Sequence, residues 1–368
     1  MLPASLLTGL RPDSTRVWDL VTPLRTTIPD VVTLPQYFKQ HGYQSVGMGK
    51  IYHNTFPDPD SWSIPEPKPT GFQLYSAETQ AKLKVRRDAA RAEGKTEAQI
   101  NGSVRGLAAE GEDVADERRF DGALGNLAIE HLHKLSQEKQ PFFLAVGFIQ
   151  PHLPFTAPKR YWDLYDPAKI RLATNPFLPK NAPAMAMFGM YELRAYMDFA
   201  DTKEAPALLT EEQQRHLKHG YYASATFIDT QIGRLLDELD RLNLRENTIV
   251  VLWADHGWKL GEHASWCKQT NYEIDARVPF IVRAPGAKGN GKPCAGLVEL
   301  LDIYPTLCDL AGLPIQPQLE GKSIAPLLAD PCAARQIGRV QSISASPRRT
   351  TADGLLDADR PLSLRRVA

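Results

Sequence analysis

The run Asp255-His256-Gly257-Trp258-Lys259-Leu260-Gly261-Glu262-His263 concentrates more chemistry than any other stretch of the chain. It follows directly on the apolar segment Ile249-Val250-Val251-Leu252-Trp253 and precedes Lys268. Charged and imidazole groups at the end of a buried strand are costly unless a cation or an anionic ligand employs them. A lone Asp-His pair after a strand is more often a helix cap with a hydrogen-bonded neighbour. Here, however, the preceding run is apolar and partly β-branched, the pattern of a strand covered on both faces. Ligands of open α/β sheets gather outside the carboxyl ends of such strands, and Asp255 and His256 stand at that end.

Two further loops repeat the arrangement. Gln44 to Met48 reads as a strand that empties into Gly49-Lys50-Ile51-Tyr52-His53, and Phe142 to Ile149 as one that empties into Gln150-Pro151-His152-Leu153-Pro154. On one edge of a single parallel sheet, these loops would gather Lys50, His53, His152 and Lys268 around Asp255 and His256. Two ammonium groups and several imidazoles around an Asp-bearing metal position suit a tetrahedral oxyanion and the charge that develops as its ester breaks. Histidine can also protonate a departing alcohol at neutral pH.

The elements that would position these residues alternate between helix and strand. Thr33 to His41 is predicted as a helix ended by Gly42, and Phe120 to Lys139 as an amphipathic helix ended by Pro141. Glu211 to Leu242 reads as one long helix or two in succession, Val278 to Val282 as a strand, and Leu297 to Leu313 as a helix containing Pro305. Thr55 to Pro69, rich in Pro, Asp and Ser, and the charged stretch Ala77 to Glu117 read as surface insertions or the rim of a cleft. Gly286 to Lys292 lacks the spacing of a phosphate-binding loop and reads as a turn.

Composition narrows the function classes. The 368 residues carry 43 basic and 43 acidic side chains, so no net charge favours nucleic acid or an acidic membrane surface. The length allows one large α/β domain or two smaller ones. Cys267, Cys294, Cys308 and Cys332 form no CxxC pair, which argues against a zinc site or a dense disulfide framework and leaves the redox compartment open. No run approaches the roughly 18 apolar residues of a membrane span, and the first residues lack the pattern of a signal peptide.

At these residues the chain resembles the sulfatases of the alkaline-phosphatase-like superfamily, and among them the iduronate-2-sulfatase branch with its bacterial members. The resemblance rests on Ser5-Leu6-Leu7-Thr8-Gly9-Leu10-Arg11-Pro12-Asp13, on Leu34-Pro35-Gln36-Tyr37-Phe38 through Gly49-Lys50 and His53, and on Pro141 to Phe155. It continues through Thr248 to Pro285, Leu301 to Leu307 and Leu319 to Ser323. It implies an α/β sandwich with a largely parallel sheet flanked by helices, and hydrolysis of sulfate esters of sugars or other small molecules. Asp255 and His256 match two ligands of a calcium ion. Lys50 and His53 match the pair that holds the nucleophile and a sulfate oxygen, and His152 and Lys268 match the groups on the leaving side, His152 being the preferred general acid. Trp258 and Asp60 are expected to line the mouth of the substrate cleft.

The chain also departs from that pattern. Family members open on Cys-x-Pro-x-Arg, whose cysteine becomes the formylglycine nucleophile. The register of Leu6-Leu7-Thr8-Gly9 puts Met1-Leu2-Pro3 where Pro-x-Arg is expected. The cysteine, a first strand and two adjacent calcium-binding aspartates would therefore precede Met1. Residues 1–330 are expected to form an incomplete catalytic domain. Residues 331–368, without sustained periodicity, are expected to form an irregular tail in place of the family's C-terminal antiparallel subdomain. An incomplete sulfatase gene product with negligible activity is the favoured reading. A phosphoester or phosphonate hydrolase of the same superfamily, or a non-catalytic remnant that binds sulfated glycan, are the alternatives. Intact relatives are commonly exported, and neither the compartment, the oligomeric state nor the sugar can be read from these residues.

Overall fold

The structure, a computed structural model, describes residues 2–53, 56–183, 191–202 and 209–331. The expected tail from 332 onward, with Cys332, and Thr55 of the first insertion lie outside the described residues. The principal helices are α1 (Leu2–Thr8), α2 (Leu34–Gln40), α3 (Ala77–Ala92), α4 (Glu97–Ser103), α5 (Phe120–Gln137), α6 (Tyr191–Arg194), α7 (Glu211–Arg241) and α8 (Ile303–Leu310). The strands are β1 (Gln44–Gly49), β2 (Phe142–Gly147), β3 (Val250–Trp253), β4 (Lys259–Leu260), β5 (Trp266–Cys267) and β6 (Phe280–Arg283).

Local chemistry explains the helix starts. Thr33 caps α2 and Thr210 caps α7, each in a reciprocal capping box with the glutamine three residues on, Gln36 and Gln213. The stretch from Glu211 is a single helix to Arg241. The helix expected over 297–313 is shorter than its sequence pattern: a 3-10 turn, Leu300–Asp302, precedes α8, and Pro305 sits in the first turn of α8, where its missing N–H costs no helical bond.

Strand pairing differs from the expected single, largely parallel sheet. β1 and β2 pair in parallel, with Val46 opposite Leu144 and Gly49 opposite Gly147. β3 pairs antiparallel with β6, Val251 lying opposite Val282, and β4 with β5 form a small antiparallel ribbon. Among the described residues no ladder joins these pairs. Apolar alternation reports which face a residue takes but not the direction of its neighbour, so the antiparallel β3–β6 pair was not legible. The complete coverage expected of the 249–253 strand is not reached either, since Val250–Trp253 are all half-buried.

Two apolar layers flank the paired strands. Val46 and Met48 of β1, with Leu144 and Val146 of β2, face Leu124, Ala128 and Leu135 of α5. Phe143 and Ala145 point the other way, with Val251, Trp253 and Phe280, toward Tyr37 and Phe38 of α2 and Ile303, Tyr304 and Cys308 of α8. A third cluster packs α7, through Leu217, Ala223, Phe227 and Ile228, against Phe155, Trp162, Trp258 and Trp266.

The insertions are more ordered than their composition suggests. Ala77 to Glu117 contains α3 and α4, closed on one another by Ala90, Ile100, Val104 and Leu83. In the 55–69 stretch Asp58, Ser61 and Trp62 are buried rather than exposed. The Asp58 carboxylate accepts two bonds from Arg25 (2.9 and 3.0 Å), which offset its desolvation.

Candidate active site

Lys50 is placed by two glycines. Gly49 (φ +77°) ends β1 in the left-handed region, and a Cβ there would lie 2.3 Å from the Gly147 oxygen. A Cβ on Gly147 would in turn meet the Lys50 carbonyl oxygen at 2.2 Å. Only this close approach lets the Lys50 amide bond Gly147 O at 2.7 Å and turn its side chain across the strand ends. Lys50 Nζ then donates to Asp255 Oδ2 at 2.9 Å, across 205 residues of sequence.

The Asp255 loop is held from behind. Gly257 N donates to Asp275 O at 2.8 Å, and a Cβ on Gly257 would lie 1.8 Å from the Ile274 oxygen. Lys259 and Asp275 form an ion pair, with side-chain exposures of 0% and 4%. The Asp275 Oδ2 atom also accepts from Thr270 N and Oγ1 at 2.8 and 2.7 Å. Burial pushes the Lys259 ammonium below its usual range while Asp275 opposes that shift. This buried pair therefore ties Lys259 to the scaffold, leaving Lys268 as the lysine of this segment that reaches His152 and Glu192. On either side of Lys268, Cys267 (φ 70°) and Gln269 (φ 81°) are held in the left-handed region, an arrangement costing on the order of 1–3 kcal/mol per residue.

His152 and Lys268 meet through a residue the sequence did not single out. His152 Nδ1 donates to Leu153 O (2.7 Å), which turns Nε2 toward Lys268 Nζ, with which it is hydrogen-bonded. Glu192 of α6 spans both, with Oε2 at 2.9 Å from Lys268 Nζ and Oε1 at 3.1 Å from His152 Nε2. Arg105 Nη1 lies 4.0 Å from Glu192 Oε1 and 3.2 Å from the Tyr196 hydroxyl. Burial would raise the Glu192 carboxyl, but the bonds and charges of His152 and Lys268 prevail and hold it well below the usual carboxylate range. Trp258, buried, forms the floor: its ring lies 4.8 Å from Lys268 Nζ and 5.3 Å from the His152 ring.

Asp255 and His256 fit one side of a hard cation. His256 Nδ1 donates to Gly257 O (2.9 Å), so the lone pair of the neutral ring's Nε2 faces Asp255 Oδ1 at 3.5 Å. Burial keeps the imidazole below its usual pKa against the pull of Asp255. The Asp255 carboxyl, raised by burial, is brought below its usual range by the positive charge of His256 when that ring is protonated and by Lys50, which bonds it. Two lone-pair groups converging without a proton between them suit a cation. Calcium takes about six to eight oxygen ligands, and among the described residues no group of three or more His, Cys, Asp or Glu is arranged to hold a metal. The pair fits calcium as part of a ligand set and does not complete one.

The remaining expected residues are less central. His53 is half-buried beside Phe56, ring centroids 6.3 Å apart, and burial with the Lys50 charge lowers its pKa. Asp60 lies exposed in the 3-10 turn Pro59–Ser61, where its carbonyl oxygen accepts from Lys39 (3.2 Å), while the buried acid of that segment is Asp58. The buried thiols offer no substitute nucleophile: burial pushes Cys308 up to about 12 and Cys267 higher still.

Against this geometry, the profile of the family described as Sulfatase matches residues 3–313. The chain belongs to the sulfatase family. It is 34% identical over 352 residues to iduronate 2-sulfatase of Mus musculus, an alignment covering 85% of this chain and 60% of that protein. The sulfatase chain thus spans about 60% of the length of that curated relative. Its fold is that of the alkaline-phosphatase-like sulfatases. The phosphonate monoester hydrolase of Silicibacter pomeroyi superposes with a TM-score of 0.64 at 25% identity, over 89% of this chain and 66% of that one. A protein solved in complex with its substrate D-glucosamine-2-N,6-O-disulfate superposes with a TM-score of 0.68 at 19% identity, over 94% and 74% of the two chains. Among the described residues no helix is long and apolar enough to cross a membrane.

Glu192 and Arg105 were missed because neither follows an apolar strand. The sequence signal for Glu192 is only an acid in a short segment, and its role emerges from a partner 76 residues away.

Proposed function

We propose that these residues form the sulfate-binding and leaving-group side of a centre that hydrolyses sulfate esters of sugars. The observation that carries the reading is the His152–Lys268 pair over Trp258, in which the Lys268 ammonium donates to His152 Nε2 beside Glu192. Lys268 binds the sulfate and the bridging oxygen. Once sulfate engages the Lys268 ammonium and His152 is doubly protonated, with Nδ1–H bonded to Leu153 O, its Nε2–H passes a proton to the bridging oxygen as the S–O bond breaks, releasing the sugar as its hydroxyl and leaving a neutral imidazole. Glu192 stabilises the imidazolium that this transfer requires. Lys50 and His53 bind the sulfate from the other side. Trp258 supports the sugar ring's approach, and Asp60 belongs at most to the outer rim. Asp255 and His256 would hold calcium, whose chemistry is polarisation of the sulfate.

None of the four cysteines in these 368 residues begins Cys-x-Pro-x-Arg, the pattern expected to carry the attacking group. These residues alone are therefore expected to bind a sulfated sugar without turning it over. The test compares the purified chain with a His152→Ala variant on an aryl sulfate. Turnover well above the variant overturns the assignment of inactivity. Loss of sulfated-sugar binding in Lys268→Ala supports the site, and unchanged binding overturns it.

A second reading, hydrolysis of phosphate or phosphonate esters, draws on the likeness to the phosphonate monoester hydrolase. Matched sulfate and phosphate esters, offered to a longer chain that carries the nucleophile, discriminate between the two. A glycan-binding role without catalysis requires binding of a sulfated sugar and no turnover by that longer chain.

A further inference from the structure

Asp121 lies in the first turn of α5, fully buried, and belongs to no step described so far. Its two carboxylate oxygens accept from two consecutive backbone amides, Ile149 N at 2.8 Å and Gln150 N at 2.9 Å. These amides lie immediately after β2, where the chain leaves the sheet toward His152. The bonds continue along the same loop. His152 N donates to Ile149 O at 3.0 Å, and Gln150 Nε2 donates to Pro154 O at 2.6 Å. The loop is thus closed on itself, and Asp121 is its anchor to the helix layer.

We propose that Asp121 is the positioning residue for His152: its carboxylate latches the end of β2 to α5 and so aims the imidazole at Lys268 and Glu192. A carboxylate is the group this needs, because two adjacent N–H donors require two acceptor oxygens. An amide supplies one oxygen and presents an NH2 group to the other donor. Burial of an acid is expensive, and among the described residues the groups that offset it are the two loop amides. A residue placed only to start α5 would bond the amides of its own helix. This one bonds a loop 28 residues away.

The proposal rests on the reading of His152 and Lys268 as sulfate-binding groups, and the experiment separates the two. Inorganic sulfate is titrated calorimetrically into the full chain and into Asp121→Asn, His152→Ala, Lys268→Ala and Asp121→Asn/His152→Ala. Asp121→Asn is expected to weaken binding about fivefold or more, and to add nothing in the His152→Ala background, the non-additivity of residues that act through one another. Equal weakening in both backgrounds, or none in either, overturns the latch. If Lys268→Ala and His152→Ala both bind sulfate as the parent does, or the parent binds none, the site reading fails and the latch with it. Should Asp121→Asn not fold, hydrogen exchange in the unsubstituted chain decides. Sulfate should slow exchange of the Ile149 and Gln150 amides, and unchanged exchange at saturating sulfate overturns the proposal.

Discussion

Glu192 and Lys268 meet through a 2.9 Å bond at which both side chains are nearly nine-tenths buried. This pair puts a negative charge beside the groups assigned to bind an anion. The same carboxylate therefore stabilises the empty site and opposes the ligand.

Glu192→Gln should separate these effects. Removing the charge leaves Lys268 and His152 without their counter-ion, and stability is expected to fall by about 1–3 kcal/mol. Inorganic sulfate should bind roughly three- to tenfold more tightly, because a nearby negative charge costs on the order of 1 kcal/mol at intermediate dielectric. Urea unfolding and calorimetric titration measure the two, and weaker sulfate binding contradicts the electrostatic account.

Lys259 and Asp275 form the buried pair behind the loop, so cutting it should cost more. Lys259→Ala strands a carboxylate that is 4% exposed. The expected loss is about 3–5 kcal/mol, read as a lower denaturation midpoint. A loss below about 1 kcal/mol would show that Thr270 alone suffices for Asp275.

Gly257→Ala tests the backbone approach that sets Asp255 and His256. The added methyl would start 1.8 Å from the Ile274 oxygen, so the chain must move. Destabilisation of about 1–3 kcal/mol is expected from overpacking, with weaker sulfate binding. Thermal unfolding and sulfate titration of the variant check both, and wild-type values for each would mean that the loop yields freely.

Asp121 gives stability a defined pH dependence. Burial raises its carboxyl from 3.8 to about 6 against the two amide bonds that lower it. For a group whose folded pKa exceeds the unfolded one, the contribution is fully present below the unfolded value and lost as pH rises through the folded one. Protonation of Asp121 should therefore favour the folded chain by about 2 kcal/mol more at pH 4 than at pH 7. Asp121→Asn removes this term. The stability difference between parent and variant, measured by urea unfolding across that range, should tilt toward the parent as pH falls. A difference independent of pH would place the Asp121 carboxyl near its ordinary value.

Much of the site was legible because its residues follow apolar strands. Lys50, His152 and Asp255 each lie within a few residues of a strand's carboxyl end, and a run such as Val250–Trp253 announces where that end is. Helices α2, α5 and α7 were legible from their periodicity and their Thr or Pro boundaries. Asp60 was placed in the mouth because it shares a loop with His53, and proximity in sequence carries no information about which way a turn faces. The turn buries Asp58 and exposes Asp60.

Residue types and order were enough to read an α/β chain with basic, imidazole and acidic groups at its strand ends, because strand periodicity and loop chemistry are local properties. Tertiary structure alone decided that β3 runs antiparallel to β6, that Glu192 bridges His152 and Lys268, and that Asp121 holds the loop before His152. These depend on contacts across 27 to 76 residues, between segments whose own patterns are complete without them. Buried polar groups must find partners somewhere, and only packing of the layers determines which partner comes within reach.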